Sequence, residues 1–323
     1  MQVTVIICTR NRADQLRRTL ESAAAMEIPE HVSWELLVVD NGSTDHTPEV
    51  VESFTGRLPV RRVSEPNAGL SNARNRGVAE AKGDYICWTD DDVLIDPNWL
   101  AAYARAFVRH PEAAYFGGPI ELVLEGSTPS WLQDNRELFG PILAERRFGD
   151  VPIRLDLAAD IIPYGANYAI RAREQRGHRY DPKLGVSPTQ RRVGEETTVL
   201  AAIDEAGCTG WWVPDARVLH IIPEERQTLS YLSEYRRAAG ETNAYLAEHG
   251  PPSIKRRSMP MHNERFGGAP LQLWTLMAGH FVLHRLLGLA GRRSAAARHY
   301  LRYAYYDGAI SYCRARSRNP NQA

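Results

Sequence analysis

Cysteine is scarce in this chain. The four thiols, Cys8, Cys87, Cys208 and Cys313, lie far apart and form no CxxC pair. That spacing argues against a disulfide framework or a cysteine-based zinc site. Cys8 and Cys87 fall inside apolar, strand-like runs and read as buried free thiols. A basic segment leading into an apolar core is missing from the start of the sequence, so residues 1–8 read as a first strand and not as a secretory signal. No internal repeat and no low-complexity tract occurs, which excludes solenoid and collagen-like architectures. Net charge is also missing: 39 Lys plus Arg balance 39 Asp plus Glu. The total gives no reason to expect a nucleic-acid partner, although a total can hide an uneven distribution. With 43% hydrophobic and 24% charged residues among 323, the composition is that of an ordinary soluble globular protein. At about 150 residues per domain the chain holds roughly two domains.

What is present in the first half is alternation. Val3 to Cys8 reads as a strand and Ala13 to Ala25 as a helix, with Leu16 and Leu20 spaced i, i+4. Glu35 to Val39 is a second strand, followed by a turn at Asp40 to Ser43 and a helix start at Thr47-Pro48. Val60 to Val63, Leu70 to Ala81, Asp84 to Thr89 and Pro97 to His110 continue the pattern as strand, helix, strand and helix. Short apolar strands separated by helices imply βαβ units and a mainly parallel sheet covered on both faces. Ligands of such sheets bind at the carboxyl ends of the strands. That rule selects three polar clusters: Thr9 to Arg12, Asp40 to Ser43, and Asp90 to Asp92.

Beyond Gly117 the pattern loosens. Ile120 to Leu124 reads as a strand, but 126–160 is irregular, and a connection of that length is functional or mobile more often than structural. Ordered segments resume at Ala166 to Arg171, Glu195 to Glu205, Trp211 to Val213 and Ala216 to Ile221. Helices are expected over Thr228 to Glu248, Leu271 to Leu289 and Ser294 to Arg316, with Pro251-Pro252 as a linker. The expected division is a catalytic domain over 1–225, with halves 1–118 and 119–225, and a helical basic extension over 226–323.

Thr89-Asp90-Asp91-Asp92 carries the strongest local chemistry. Three adjacent carboxylates repel one another unless a cation or well-placed donors compensate. A divalent ion bridging carboxylate and phosphate oxygens does so, and Mg²⁺ or Mn²⁺ suits oxygen ligands. A solvated acidic turn is the bland reading of the same triplet. Context separates the two readings. VIICTRNR at 5–12, LLVVDNGSTDHT at 36–47, NAGLSNARNRGV at 67–78 and DYICWTDDDV at 84–93 occur in that order. Together they resemble glycosyltransferase family 2, inverting nucleotide-sugar enzymes of the GT-A fold, over roughly Val3 to Ile221.

The resemblance implies roles. Thr9, Arg10 and Arg12 sit where the family contacts the nucleotide base and phosphates. Asp40 and Asn41 match the acidic site for the base, usually uracil, and Asp40 also suits a turn before Asn-Gly. Gly69, Arg74 and Asn75 belong to the segment that closes over the nucleoside, with an ordinary exposed helix charge as the alternative for Arg74. Asp90 reaches the ribose or a metal, Asp92 binds the metal, and the part of Asp91 is open. In Gly194-Glu195-Glu196, Glu196 matches the catalytic base by one extra methylene, with Glu195 as the fallback. Inverting transfer needs such a carboxylate to take the acceptor proton. Helix N-terminal charge preference is the structural alternative for both glutamates.

His220 matches a third metal ligand or diphosphate contact, Arg226 a diphosphate donor, and Asn167 a residue near the sugar and acceptor. Trp131, Trp211 and Trp212 are candidates for stacking on a sugar ring, against core packing. The implied partners are a nucleotide-diphosphate sugar, UDP-linked by preference, and a carbohydrate, lipid-linked or other hydroxyl acceptor. The implied cofactor is Mn²⁺ or Mg²⁺. No Ser or Cys triad is found, and Thr9-Arg10-Asn11-Arg12 lacks the glycines of a nucleotidyltransferase phosphate loop. A non-catalytic nucleotide-sugar-binding scaffold of the same fold is the reading from another class.

The charge balance is a cancellation. Residues 254–323 hold 12 Lys plus Arg against Glu264 and Asp307, a net of +10, which leaves −10 for 1–253. Basic residues beside Leu, Trp and Phe suit a helix pair on an anionic membrane surface. Packing on the domain or homodimerisation fits the same segment. The expected location is cytoplasmic, either free or peripheral on the inner face of the cell membrane.

Overall fold

The structure, a computed structural model, describes residues 1–257 and 265–318. Residues 258–264 and 319–323 of the basic tail lie outside the described residues. By contact density the chain divides into two units. The first comprises Met1–Val123, Ala144–Gln190 and Gly194–Ile221; the second comprises Leu124–Leu143, Arg191–Val193 and Ile222–Ala323. Segment 124–143, expected as part of the acceptor half, thus groups with the C-terminal helices.

In the first unit, apolar runs with no alternation become strands buried on both faces, as parallel sheets require, while the polar edge strand Val60–Ser64 is only partly buried. The first four strands are β1 (Gln2–Thr9), β2 (Ser33–Asp40), β3 (Val60–Ser64) and β4 (Tyr85–Asp90). The strands β5 (Val93–Ile95), β6 (Ala113–Gly117), β7 (Ile120–Leu124) and β8 (Asn167–Arg171) follow. The main sheet runs Thr209–Trp212, β6, β8, β4, β1, β2, β3. Its ladders are parallel except on the two sides of β8, which is antiparallel to both β4 and β6. β6 had no signal in the sequence beyond its apolarity. A small second sheet pairs β5 with Val218–Ile222 in antiparallel register, His220 opposite Val93.

Four helices cover the sheet: α1 (Ala13–Ala23), α2 (Thr47–Glu52), α3 (Leu70–Glu80) and α4 (Trp99–Arg109). On α1 the buried positions are Ala13, Leu16, Thr19, Leu20 and Ala23, the i, i+3/i+4 stripe of an amphipathic helix. Thr47 is the first residue of α2 and not its cap. The N-cap position is His46, and Asp45 Oδ1 accepts from both Thr47 N (3.1 Å) and Thr47 Oγ1 (2.6 Å), a turn that leads the chain into the helix. In the order β3-β2-β1-β4 the sense of strand addition reverses between β1 and β4, which stay parallel. Register places Thr9 opposite Asp40 and Cys8 opposite Asp90, so three of the selected clusters meet at this switch point.

The second unit is helical. Leu229–His249 packs against Arg293–Arg318, and the latter against Leu271–Leu289. Two glycines permit the first approach. A Cβ on Gly240 would lie 1.8 Å from the carbonyl oxygen of Tyr305, and one on Gly308 would lie 1.9 Å from that of Arg237. The pair is reinforced where Arg237 Nε donates to Asp307 Oδ2 at 2.7 Å. Among the described residues no helix is long and apolar enough to cross a membrane. Gly308→Ala is expected to force these helices apart and to destabilise the protein by about 1–3 kcal/mol, read as a lower midpoint in chemical denaturation.

Candidate active site at the strand ends

The acidic triplet extends from β4 into a loop where the side chains take different paths. Asp91 and Asp92 are buried, whereas the Asp90 side chain keeps 38% of its surface exposed, so Asp90 is the member that faces solvent. Arg12 compensates the inner pair, with Nη1 2.8 Å from Asp91 Oδ1 and Nη2 2.7 Å from Asp92 Oδ2. Thr9 Oγ1 donates to the other Asp91 oxygen at 2.7 Å. Asp91, whose part the sequence left open, therefore ties the end of β1 to the acidic loop. Burial is the main cause that pushes its carboxyl up, to about 7, against the pull of Arg12. Partial burial also raises Asp90, against the pull of the nearby Arg74 cation.

His220 Nε2 lies 3.4 Å from Asp92 Oδ1. Oxygen and imidazole donors of this kind fit a divalent cation by type. Among the described residues no group of three His, Cys, Asp or Glu side chains is gathered to hold a metal, and Arg12 is the cation that bridges two of the acids.

Arg74 is the centre of a second cluster. It is 97% buried, not an exposed helix charge, and its guanidinium carbon lies 5.9, 5.8 and 5.6 Å from the ring centres of Trp88, Tyr168 and Tyr180. Cation–π attraction operates at such distances. Nη1 is 3.0 Å from Glu195 Oε1 and 3.9 Å from Glu196 Oε2, and Nη2 is 3.9 Å from Asp90 Oδ1. The Glu195 contact is an ion pair without hydrogen-bond alignment, since Nη1 makes no hydrogen bond. Gly165 leaves the room: a Cβ there would lie 2.8 Å from Nη2. One buried cation thus adjoins both glutamates and the exposed acid of the triplet. The sequence pointed to Arg74 but not to its cage, whose only signal was the register that puts Trp88 opposite Tyr168.

Glu195 and Glu196 open the helix Glu195–Glu205 behind Gly194, whose φ of +84° suits glycine. Unpaired N–H groups of this first turn favour negative charge. Burial, then repulsion from Glu195, push the Glu196 carboxyl up to about 7 against the pull of Arg74. A carboxyl in that range exchanges protons near neutrality, as a general base must.

The remaining strand-end residues build the rim. Asp40 Oδ1 accepts from Ser43 N at 2.8 Å and Oδ2 from Arg62 Nη1 at 3.0 Å, so the turn role is realised. Asn41 Oδ1 accepts from Gly69 N at 2.7 Å, and its Nδ2 donates to the carbonyls of Glu65 and Asn67. Arg10 Nη1 donates to Asn41 O at 2.7 Å. Gly69, with φ +133°, starts α3, and Asn75 holds Tyr180 by both its N and its O.

Asn167 departs from its expected place near the sugar. It is fully buried: Oδ1 accepts from Trp99 Nε1 and Tyr103 Oη, both at 2.8 Å, and Nδ2 donates to the carbonyls of Pro119 and Ala216. With every amide bond satisfied inside the protein, it is a structural pin. Arg226 belongs to the second unit, beside Tyr231 at 5.9 Å. Trp212 is core, Trp211 stacks on His110 at 3.9 Å, and Trp131 meets Phe139 edge-on at 5.2 Å.

Residues 4–158 match the family model described as Glycosyl transferase family 2. The succinoglycan biosynthesis protein ExoM of Rhizobium meliloti (strain 1021) is 27% identical over 250 residues, 76% of this chain and 75% of that protein. Validoxylamine A glucosyltransferase of Streptomyces hygroscopicus subsp. jinggangensis (strain 5008) is 34% identical over 152 residues, 46% of this chain and 36% of that one. Among solved structures, the mannosyltransferase PcManGT from Pyrobaculum calidifontis, in complex with GDP-Man and Mn²⁺, aligns with a TM-score of 0.64 at 17% identity. The alignment covers 96% of this chain and 86% of that one. S. aureus TarS 1–349 in complex with UDP-GlcNAc aligns with a TM-score of 0.54 at 17% identity, over 99% and 92% of the two chains. These structures share the GT-A fold, a mixed, mainly parallel sheet flanked by helices.

Two outcomes follow from the buried charges. Arg74→Met strands three carboxylates without their cation and is expected to lower stability by about 3–5 kcal/mol, measured by denaturant unfolding at neutral pH. Carboxyls raised in the folded state keep protons that the unfolded chain releases. Unfolding free energy is therefore expected to fall as pH rises from about 4.5 to about 7 and to level off above. Glu196→Gln should make that fall shallower.

Proposed function

We propose, from the premise that this chain is a glycosyltransferase whose residues 4–158 belong to glycosyl transferase family 2, that it transfers a sugar from a nucleotide-diphosphate donor to an acceptor hydroxyl with inversion. The observation that carries the reading is the Arg74 cluster, which holds Glu196, raised to about 7, close to the solvent-facing Asp90 at the strand ends. Glu196 takes the proton of the acceptor hydroxyl as its oxygen attacks the anomeric carbon from the face opposite the leaving diphosphate. Glu195, nearer the guanidinium at 3.0 Å, keeps Arg74 in place.

The donor nucleotide lies along the carboxyl ends of β1, β2 and β4. Thr9, Arg10, Asp40 and Asn41 form its floor, with Gly69 opening α3 over it, and UDP is the preferred nucleotide by resemblance. Arg10 and Arg12 are the cations of this rim. Asp90, Asp92 and His220 are the residues that would hold Mn²⁺ or Mg²⁺, which when bound neutralises charge on the leaving diphosphate. The PcManGT and TarS complexes contain GDP-Man with Mn²⁺ and UDP-GlcNAc respectively, which supports a nucleotide-sugar donor here. The relationship to ExoM, a succinoglycan biosynthesis protein, supports a carbohydrate or lipid-linked acceptor and a place in polysaccharide assembly.

A screen of nucleotide sugars for Mn²⁺-dependent nucleotide release tests the reading. One donor is expected to be turned over, with loss of release in Asp92→Ala. Glu196→Gln is expected to lower kcat by about 10²–10⁴-fold while donor affinity is retained. If no donor is turned over and no nucleotide binds, the proposal fails. In the active protein kcat rises with pH through about 7, as Glu196 loses its proton.

A further inference from the structure

The helix Leu271–Leu289 is apolar nearly all round its circumference, a pattern found where a helix is covered on every side. Among the described residues only one side is covered. Leu273 is buried there, and the side bearing His280 and His284 faces the helix Arg293–Arg318. His280 Nδ1 lies 2.8 Å from His299 Nδ1, and His284 Nδ1 lies 2.9 Å from the carbonyl oxygen of Ala296. The opposite side carries Leu271, Val282, Leu286 and Leu289, exposed by 44, 52, 58 and 86%. Six of the eleven large apolar side chains exposed among the described residues sit on this one helix. Two imidazoles are turned inward beside Leu273, while Leu271, Val282, Leu286 and Leu289 point outward. Water does not select that arrangement, so the outward face is built for an apolar surrounding.

Charge says which surrounding. Arg285, Arg292, Arg293, Arg298 and Arg302 are exposed on this hairpin. Residues 265–318 contain nine arginines and one acid, Asp307, and that acid is held by Arg237 at 2.7 Å. A second copy docking by the same face would bring two such sets of cations together. An anionic bilayer instead offers apolar depth for the leucines and negative headgroups for the arginines. Because no described helix is suited to cross a membrane, the hairpin would lie in the plane of the surface. We infer that the hairpin of Leu271–Leu289 and Arg293–Arg318 docks on an anionic lipid bilayer, with Val282, Leu286 and Leu289 inserted and the arginines at the headgroups. This holds independently of the catalytic reading.

Co-sedimentation of the full chain with vesicles decides it. Phosphatidylcholine vesicles are compared with phosphatidylcholine containing phosphatidylglycerol, at low and high salt. Affinity for the anionic vesicles is expected to be at least about tenfold higher and to weaken with salt. Leu286→Asp with Leu289→Asp should lower it by about tenfold or more at unchanged circular dichroism and Tm. Arg292→Gln with Arg293→Gln and Arg298→Gln should remove most of the preference for anionic lipid. Equal binding to both vesicle types, or full binding by the Leu286→Asp, Leu289→Asp variant, overturns the inference. Self-association abolished by that variant, without vesicle binding, overturns it in favour of a second copy.

Discussion

A single buried cation, Arg74, sets the constraint around which the strand ends are organised. Its guanidinium cannot leave the interior without emptying the space between Trp88, Tyr168 and Tyr180, and it cannot remain there without negative partners. Glu195, Glu196 and Asp90 supply those partners from two different elements, the helix Glu195–Glu205 and the end of β4. The pairing works in both directions. Arg74 makes burial of two adjacent glutamates tolerable, and the glutamates make burial of Arg74 tolerable. What survives the mutual compensation is a carboxyl, Glu196, still raised by burial and by its neighbour. A carboxyl that exchanges protons near neutrality is therefore a product of incomplete neutralisation and not a separate addition to the cluster.

The same logic governs the acidic loop, with a different cation. Three consecutive aspartates are unstable as an isolated group. Arg12 neutralises the inner two, and the Thr9 hydroxyl satisfies one further oxygen, which leaves Asp90 as the acid that opens to solvent. Parallel strand topology is what makes this possible. β1 delivers Thr9 and Arg12 to one side of the switch point and β4 delivers the acids to the other, at matched register. A slip of one residue in that ladder would reverse the face of every side chain involved.

Much of this was legible in the sequence, because the code there is local. Apolar runs followed at once by polar clusters identified the strand ends, and helix spacing placed α1, α3 and α4 to within a few residues. Position along the chain, however, does not disclose which direction a side chain takes. Asn167 reads as a polar residue beside the site, yet its amide is consumed by Trp99, Tyr103, Pro119 and Ala216. Its four partners come from segments separated by about 50 to 70 residues, which no periodicity links. β6 was missed for the related reason that Ala113–Gly117 is short, wholly buried and without alternation. A central strand of that kind has no pattern to show.

Charge distribution, in contrast, could be read from the sequence and gained meaning from the structure. The excess of +10 in 254–323 is compatible with a solvated, packed or interacting tail so long as only composition is known. Placement separates these cases. Arg237 holds the one acid of the described hairpin, and Arg316 pairs with Glu248. The arginines near the outward leucines of Leu271–Leu289 remain exposed. A purely solvated helix would turn its histidines out and its leucines in, since apolar exposure of this extent costs about 25 cal/mol per Å². The opposite orientation is stable only if the inward contacts, His280 with His299 and His284 with Ala296, are better than those leucines could make, or if the leucines are covered. Three imidazoles and a carbonyl, joined in two contacts, do not match the burial forgone by Val282, Leu286 and Leu289. The sequence of this helix therefore implies a cover beyond the contacts among the described residues, and the surrounding arginines fix the sign of its charge.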